Sequence, residues 1–462
     1  MLCFLAGLAL AQSQATEFVV SNVSVIDVER GNVRSNQQVL IRDGLIAEVS
    51  SKPLKAEGAN NIDGAGKFLI PGLWDCHVHC WSDQLFFPLF IANGVTGIRD
   101  MFGPISTIQS WRKKMDAGTL IGPRIVAAGR IVDGPKPIWP GSVAVSNAEE
   151  GRQAVATVTK EGSDFVKVYS LLSRDSYLAI ASEAKRLNRV LCGHVPNEVT
   201  AKEASDAGQK SFEHFYSVLA GCCDKEAELL RMPALSRSAK VAAMIDTYSP
   251  GKAKELSQTF RRNKTWQCPT LTVLNAIAHL DDAEFRKDPR IAFVSPFITG
   301  TWDVSKDKRF MSMTAEDYAA LRRRVAKEME VMAMMVNSGV EFLAGTDTPN
   351  PYAFPGFGIH DELALMVKAG FTPSQALRTA TINPARYFGW EKTMGSVKKG
   401  KVADLVLLDA NPLQDIRNST KISGVFVRGR YFDQSQLAGM IKKSASAASS
   451  GAPVFGFDLD DH

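Results

Sequence analysis

Four of the seven histidines follow short apolar segments that resemble buried strands. His77 and His79 are two residues apart, so on a strand both side chains would point to one face. His194 ends the segment VLCGH, and His214 ends KSFEH. A single histidine in such a place is more often a hydrogen-bonded structural residue. Four such histidines at strand ends instead favour a shared site that binds metal.

Two further residues could complete such a site. Lys167 is flanked by apolar residues in FVKVYS, where a lysine is rarely buried without a partner. It either points outward between helices or points inward, where nearby metal ions would favour carboxylation of its nitrogen. Tyr169 lies two residues on and faces the same way. Asp347, in LAGTDTPNP, is compatible with a plain turn, but with the others it completes the mixture of nitrogen and oxygen ligands that zinc accepts.

The region from 71 to 395 alternates apolar segments with helical patterns and is predicted to form a (β/α)8 TIM barrel. In such a barrel, active-site residues gather where the strands end. A doubly wound sheet is the alternative, but no GxGxxG follows the first strand. We expect insertions near the mouth at 222–262 and 280–338, and a helix that begins at a Thr314/Asp317 capping pair. Eight strands are expected. The first ends at 77–79, and the others lie at 95–100, 124–129, 165–169, 190–194, 210–214, 268–273 and 340–347.

Both ends of the chain have a sequence pattern that differs from that of the central region. Residues 17–70 and 396–435 contain short alternating strands, with a tight turn at Asp43-Gly44. Each set is too small to bury a core alone, so we expect one small composite β-sandwich domain built from both. The low-complexity residues 436–462 are expected to be a mobile tail.

Composition restricts the class of protein. With 45% hydrophobic and 22% charged residues, the chain is not a disordered, collagen-like or disulfide-scaffold protein. The net charge of +5 forms no basic stripe, so nucleic acid is not an expected partner. Residues 1–16 lack charged side chains, and their apolar run from Leu2 to Ala11 ends in the small-x-small pattern Ala9-Leu10-Ala11. This predicts a signal peptide whose apolar run is too short to span a membrane. We therefore expect export to the periplasm or outside, with the cytoplasm as the alternative.

Six cysteines follow that predicted signal peptide, and their spacing is not that of a zinc site. Cys222 and Cys223 are adjacent and could be oxidised after export, but buried thiols are the preferred interpretation. Arg99 and Asp100 follow the second predicted strand, where we expect a salt bridge at the rim.

Together these motifs resemble the amidohydrolase superfamily, in particular its imidazolonepropionase-like and Xaa-Pro dipeptidase-like branch. PGLWDCHVH, FVKVYS, GHVPN, FEHF and AGTDTP are similar to its metal-binding segments, and GKVADLVLLD to its return into the β-domain. The resemblance implies two divalent metal ions, most simply zinc, with a carboxylated lysine between them. The implied ligands are His77, His79, Lys167, His194, His214 and Asp347. Imidazolonepropionase itself lacks the lysine, so Lys167 favours the peptidase-like members.

The function that this resemblance implies is hydrolysis of a carbon–nitrogen bond in a small substrate such as a dipeptide or an N-acyl amino acid. A hydroxide that bridges the metals would attack, and Asp347 would act as general base and then acid. Tyr169 and His360 are candidate substrate-binding residues, with packing roles as the alternative, and a homo-oligomer is expected from the family alone. A lactonase or phosphotriesterase with the same ligands and a non-catalytic scaffold remain as alternatives.

Overall fold

The computed structural model describes residues 17–231 and 236–451. The predicted signal peptide lies outside these residues, as does the end of the chain from 452 onward. Among the helices in the described ranges, none is both long and apolar enough to cross a membrane.

The described residues form an α/β structure. Its strands are β1 (Phe18–Asp27), β2 (Asn32–Arg42), β3 (Leu45–Ser50), β4 (Asn60–Asp63), β5 (Phe68–Pro71), β6 (Leu73–Val78), β7 (Val95–Asp100), β8 (Arg124–Ala127), β9 (Val132–Asp133), β10 (Val143–Ala144), β11 (Val166–Val168), β12 (Leu191–Gly193), β13 (Ser211–Glu213), β14 (Trp266–Cys268), β15 (Leu405–Leu408), β16 (Ile422–Val427) and β17 (Arg430–Asp433).

Helices follow most of the central strands. They are α1 (Asp83–Ala92), α2 (Ile105–Asp116), α3 (Ala148–Glu161), α4 (Arg174–Arg186), α5 (Ala201–Asp206), α6 (Tyr216–Gly221), α7 (Glu226–Arg231), α8 (Arg237–Asp246), α9 (Pro250–Asn263), α10 (Leu271–Ala278), α11 (Pro296–Gly300), α12 (Ala315–Asn337), α13 (Gly358–Lys368), α14 (Pro373–Thr379), α15 (Ile382–Phe388) and α16 (Gln434–Ser449). Short 3₁₀ helices lie at Phe285–Lys287, Pro289–Phe293 and Ile416–Thr420.

Strands from both ends of the chain share one sheet, in the order β17-β16-β15-β5-β1-β2-β3, and β4 pairs with β1. The joint is β15 against β5, where Leu405 faces Pro71 in an antiparallel ladder. The strands belong to one continuous hydrogen-bonded sheet, and their packing as a two-layered sandwich stays a prediction. This sheet curls, so Ile46 on β3 and Phe426 on β16 are buried in the same apolar cluster. Asp43 and Gly44 form the expected turn between β2 and β3, both with positive φ.

The central strands form two parallel sheets, β6-β7-β8 and β10-β9-β11-β12-β13-β14. On one side the two sheets are linked by the Asp164 amide, just before β11, which donates to the Ala127 carbonyl at the end of β8 at 2.9 Å. On the other side the segment 342–348 makes parallel bridges to both sheets, Gln267 to Phe342 and Val78 to Thr348. The segment expected as the eighth strand therefore contacts its neighbours through isolated bridges and is not a regular strand.

The strand expected at 268–273 is displaced. The strand is β14 (Trp266–Cys268), and the following residues begin α10. Thr270 takes a positive φ of 51°, which ends the extended backbone. The Glu362 carboxylate then accepts the amide hydrogens of Leu271 and Thr272 at 3.0 and 2.7 Å, and so caps the new helix.

The expected insertions are mainly helical. Residues 222–262 contain α7, α8 and most of α9, and residues 280–338 contain α11, α12 and two 3₁₀ helices. Helix α12 begins at Thr314, whose hydroxyl accepts from the Asp317 amide, while the Asp317 carboxylate accepts from Thr314. The predicted capping box is confirmed.

The expectation of a mobile tail from 436 is wrong for residues up to Ser449, which form helix α16. Asp433 and Gln436 form a capping box at its start. The helix packs on α1, where the Ser444 hydroxyl donates to the Leu85 carbonyl at 2.7 Å. Leu437 and Ala448 are buried in the main core. The small residues that suggested low complexity allow the two helices to approach closely.

If α16 is an integral part of the core, Leu437→Ala will lower the free energy of unfolding by about 2–3 kcal/mol because it deletes buried apolar volume. Lys443→Ala, on the exposed face of the same helix, will change it by less than about 0.5 kcal/mol. Urea unfolding measures both. Equally small losses of unfolding free energy in both variants would show that this segment is a loose tail and not part of the core.

Candidate metal centre

The structure brings three of the four strand-end histidines within a few ångströms of one carboxylate. His79 Nε2 lies 3.0 Å and His77 Nε2 3.3 Å from Asp347 Oδ1. His214 Nδ1 lies 3.8 Å from Asp347 Oδ2. The His77 and His214 rings are 4.5 Å apart between centroids, and the His214 and His194 rings are 4.8 Å apart. The four histidines and Asp347 therefore form one continuous cluster at the strand ends.

The backbone at Asp347 brings this carboxylate to the histidines. Its φ is +62°, an uncommon value for a residue other than glycine, and its amide donates to the His77 carbonyl at 2.8 Å. Gly345 permits this approach, because a Cβ there would lie 2.6 Å from Cys268 Sγ and 2.8 Å from His77 Cβ. The AGTD sequence thus brings the chain against β6.

The buried histidines are neutral. Burial lowers the pKa of His77 and His194 well below the usual value and lowers the pKa of His214 to about 4. Burial opposes ionisation of Asp347, but His214, His79 and Lys167 outweigh it and lower the pKa of this carboxyl. Neutral imidazoles around a carboxylate are the protonation states that a divalent cation requires of its ligands.

Lys167 points into this cluster and not outward between helices. It is 1% exposed, and burial lowers the pKa of its ammonium against the opposing effect of Asp347 and Glu213. Its Nζ lies 5.7 Å from the centre of the Tyr169 ring. A lowered pKa favours the neutral amine that carboxylation of a lysine requires.

The donor atoms fit a metal ion. His77, His214 and Asp347 each offer one ligand atom, and these three atoms lie within 4.8 Å of one another. His77 Nε2 is buried and, among the described residues, makes no hydrogen bond. A second grouping, His77 with Glu213 and Cys268, fits less well. Glu213 is occupied by Arg99, and burial raises the pKa of the Cys268 thiol well above its usual value, so that thiol stays protonated.

The expected salt bridge of Arg99 at the rim is wrong, because Arg99 is fully buried inside the fold. Its Nη2 donates to both oxygens of Glu213 at 2.9 and 2.8 Å, and its Nε donates to the Cys76 carbonyl. Glu213 Oε2 lies 2.9 Å from His77 Nδ1. The sequence analysis missed Glu213, although its place directly before His214 in FEHF was a usable signal.

Other polar residues orient the remaining cluster members. Thr270 Oγ1 lies 2.8 Å from His214 Nδ1, and Ser170 Oγ lies 2.8 Å from His194 Nδ1. Such contacts fix which ring nitrogen faces a metal ion. Asp100 Oδ2 accepts from the Cys80 amide at 2.8 Å and so holds the turn after His79.

Tyr169 lies at the cluster, as expected for a residue that contacts substrate. Its ring stacks on the His194 ring with centroids 3.9 Å apart. Its hydroxyl oxygen accepts a hydrogen bond of 2.9 Å from Trp139 Nε1. Trp139 belongs to the loop after β9 and was not singled out by its sequence.

The expectation that His360 contributes to substrate binding is not supported by its position. His360 Nδ1 lies 2.9 Å from Ser419 Oγ, on the side of α13 that faces the 3₁₀ helix Ile416–Thr420. It lines a separate cavity with Arg290, Ile422 and Leu437. Its place at the start of a helix after Asp347 does not determine which face of that helix it occupies.

The six cysteines in the described ranges are all buried and free. Cys223 Sγ donates to the Leu219 and Met244 carbonyls, so this thiol is already hydrogen-bonded. The interpretation of Cys222 and Cys223 as buried thiols is confirmed.

Comparison with known proteins gives a consistent result. The profile of the Amidohydrolase family matches residues 68–431. Ochratoxinase of Aspergillus niger is 21% identical over 89% of this chain and 85% of its own length. Among solved structures, bottromycin amidohydrolase has a TM-score of 0.75 at 23% identity and covers 95% of this chain and 92% of its own. A Xaa-Pro dipeptidase with bound methionine has a TM-score of 0.66 at 20% identity and covers 90% of this chain and 100% of its own. These structural likenesses show a shared fold.

The buried ion pair allows a direct test of stability. Arg99→Ala will lower the free energy of unfolding by about 3–5 kcal/mol, because it leaves the Glu213 carboxylate buried without its cation. Arg186→Ala removes an exposed ion pair with Glu183, which solvent screens, and will cost far less. Guanidinium unfolding of both variants measures the difference. Similar losses would mean that the Arg99 pair contributes no more than a surface pair.

His360 will make stability depend on pH. Burial lowers the pKa of His360 to about 4, so between pH 6.5 and 4 the unfolded chain binds a proton that the folded chain does not. The stabilisation is complete above pH 6.5 and is lost as pH falls, by about 3 kcal/mol at most. His360→Gln removes this contribution, so the difference in unfolding free energy between wild type and variant will shrink as pH falls. A constant difference from pH 7 to 4.5 would contradict this assignment.

Proposed function

This chain belongs to the amidohydrolase family of hydrolases, and on that premise we propose that it cleaves the amide bond of a small substrate with two divalent metal ions. The observation that carries the proposal is the Asp347 carboxylate within 3.0–3.8 Å of nitrogen atoms of three histidines, beside a buried lysine with a lowered pKa. We also interpret the central strands and the segment 342–348 as a closed (β/α)8 barrel, and residues 1–16 as a signal for export.

The ligands would divide into two groups. We assign His77, His79 and Asp347 to one ion and His194 and His214 to the other, with carboxylated Lys167 between them. Zinc suits this mixture of imidazole and oxygen donors. When bound, the two cations would lower the pKa of a water molecule and polarise the scissile carbonyl.

Asp347 would transfer the proton of the attacking water to the departing nitrogen. Its pKa is lowered, so the carboxylate is ionised at neutral pH and can accept the proton of the attacking water. The same proton would then pass to the departing nitrogen, so the carboxylate is restored at the end of the cycle. Its position is fixed through the His77 carbonyl, which accepts from the Asp347 amide.

Tyr169 would orient the substrate. The Trp139 indole fixes the position of the Tyr169 hydroxyl, because its Nε1 donates to the phenol oxygen. We assign this hydroxyl to an oxygen of the substrate, either the scissile carbonyl or a carboxylate. The stacked His194 ring keeps the phenol beside the cluster.

Amide substrates are supported by the names of similar proteins, which include an ochratoxinase, a bottromycin amidohydrolase and a Xaa-Pro dipeptidase. For this chain we propose a dipeptide or an N-acyl amino acid. The pocket that would distinguish them is formed by loops, so a panel of substrates is the direct test.

The first experiment measures amino-acid release from dipeptides, including Xaa-Pro, and from N-acyl amino acids by the zinc-loaded protein. We expect cleavage that a chelator abolishes. Asp347→Asn will lower kcat by about a thousandfold, the scale of general acid–base catalysis, and will retain much of the metal. His77→Ala will lose both activity and metal, whereas Asp303→Asn, at a part-exposed carboxylate that pairs with Lys306, will match wild type.

Two results would overturn this proposal. A protein that holds two metal ions but cleaves only lactones or phosphotriesters would be a hydrolase of another bond. A protein that binds no metal under any condition would instead be a non-catalytic scaffold.

A further inference from the structure

We propose that Arg309 is a positioning residue that holds Asp347 and Tyr169 in their relative places across the mouth of the metal centre. Arg309 lies in the insertion before α12, and its guanidinium contacts loops on two sides of the cluster. The inference rests on the proposed function only in that Asp347 and Tyr169 take part in the reaction.

The first contact leads to Asp347. Arg309 Nη1 donates to Asn350 Oδ1 at 3.1 Å. Asn350 in turn donates twice to the Asp347 carbonyl, from Nδ2 at 2.9 Å and from its backbone amide at 3.1 Å. Asp347 has a left-handed backbone, which is maintained only where its surroundings hold it. Arg309 therefore braces the turn that aims the carboxylate at the histidines.

The second contact leads to Tyr169. The Arg309 guanidinium carbon lies 5.6 Å from the centre of the Trp139 ring, within reach of a cation–π interaction. Trp139 Nε1 donates to the Tyr169 hydroxyl, and the Tyr169 ring stacks on His194. One side chain thus connects the loop after β9 with the loop after Asp347.

Asp307 fixes the orientation of this side chain. Both Asp307 oxygens accept from Arg309 Nε at 3.0 Å, and Oδ2 also accepts from Nη2 at 2.6 Å. The Phe310 ring lies 4.8 Å from the guanidinium carbon. A planar, paired guanidinium can make directed contacts on two sides, which a lysine ammonium cannot reproduce.

The same insertion contains a matched control. Arg290 is paired with Asp288, again two residues earlier, and lies over the Phe354 ring at 4.6 Å. Its remaining contact is Asp361 at the separate cavity of His360, so it reaches neither Trp139 nor Asn350. Loss of Arg290 removes an equivalent paired arginine and its contact with Phe354, but no contact with Trp139 or Asn350.

The test compares Arg309→Ala, Arg309→Lys and Arg290→Ala. In hydrogen exchange, we expect peptides that cover 134–141 and 347–352 to exchange faster in both Arg309 variants and at wild-type rates in Arg290→Ala, whose ring contact is with Phe354 beyond the second peptide. This measurement needs no turnover, so it remains decisive if the substrate panel gives none. Unchanged exchange in either of the two loops, or equal acceleration in Arg290→Ala, would overturn the proposal.

With a substrate from the panel, Arg309→Ala will lower kcat about tenfold, because small displacements of reacting groups are costly. Arg309→Lys will not restore it, added methylguanidine will restore part of it, and Arg290→Ala will stay within twofold of wild type. Because part of the effect of Arg309 passes through Asn350, the loss of kcat in the Asn350→Ala/Arg309→Ala double variant will be smaller than the product of the two single losses. Fully additive losses would show that Arg309 acts by another route.

Discussion

The ion pair between Arg99 and Glu213 is the interaction on which the metal centre depends. Both side chains are fully buried, where an isolated charge is strongly destabilising. Arg99 comes from β7, Glu213 from β13 and the adjacent His77 from β6, so the pair connects three strands. Because Glu213 occupies His77 Nδ1, it turns His77 Nε2 towards Asp347. The buried Arg99 guanidinium, acting through Glu213, thereby orients His77 Nε2 at the strand ends.

The cluster also depends on strained backbone at the strand ends. His214, Thr270 and Asp347 all have positive φ, a conformation that costs each of them about 1–2 kcal/mol. Each lies where a strand or extended segment gives way to a loop or helix. Hydrogen bonds from the His214 amide to Cys268 and from the Asp347 amide to His77 maintain contact with neighbouring segments. Sharp turns at the ends of parallel strands thus direct these side chains towards the cluster. If the strands continued straight, the same side chains would lie beyond it.

The sequence predicted the cluster better than its surroundings, for physical reasons. His77 and His79 were predictable because the side-chain period of a strand is two. Glu213 and Arg99 lie 114 residues apart, and no local pattern shows that they meet. His360 was misplaced because helix position alone does not identify the buried partner, here Ser419. The strand expected at 268–273 was displaced because a left-handed threonine cannot be read from CPTLTV.

The strands and the insertion serve different parts of the chemistry. In the proposed function, strand ends and the 342–348 segment would determine which bond is cleaved, since they carry the histidines, Lys167 and Asp347. The insertion before α12 carries two arginines with the same local pairing, but Arg309 contacts Asn350 and Trp139, whereas Arg290 contacts Phe354 and Asp361. Since Asp307 neutralises Arg309, this residue contributes orientation more than attraction for an anion. Its influence would therefore be on how well bound groups are aligned, and a substrate need not be negatively charged to benefit from it.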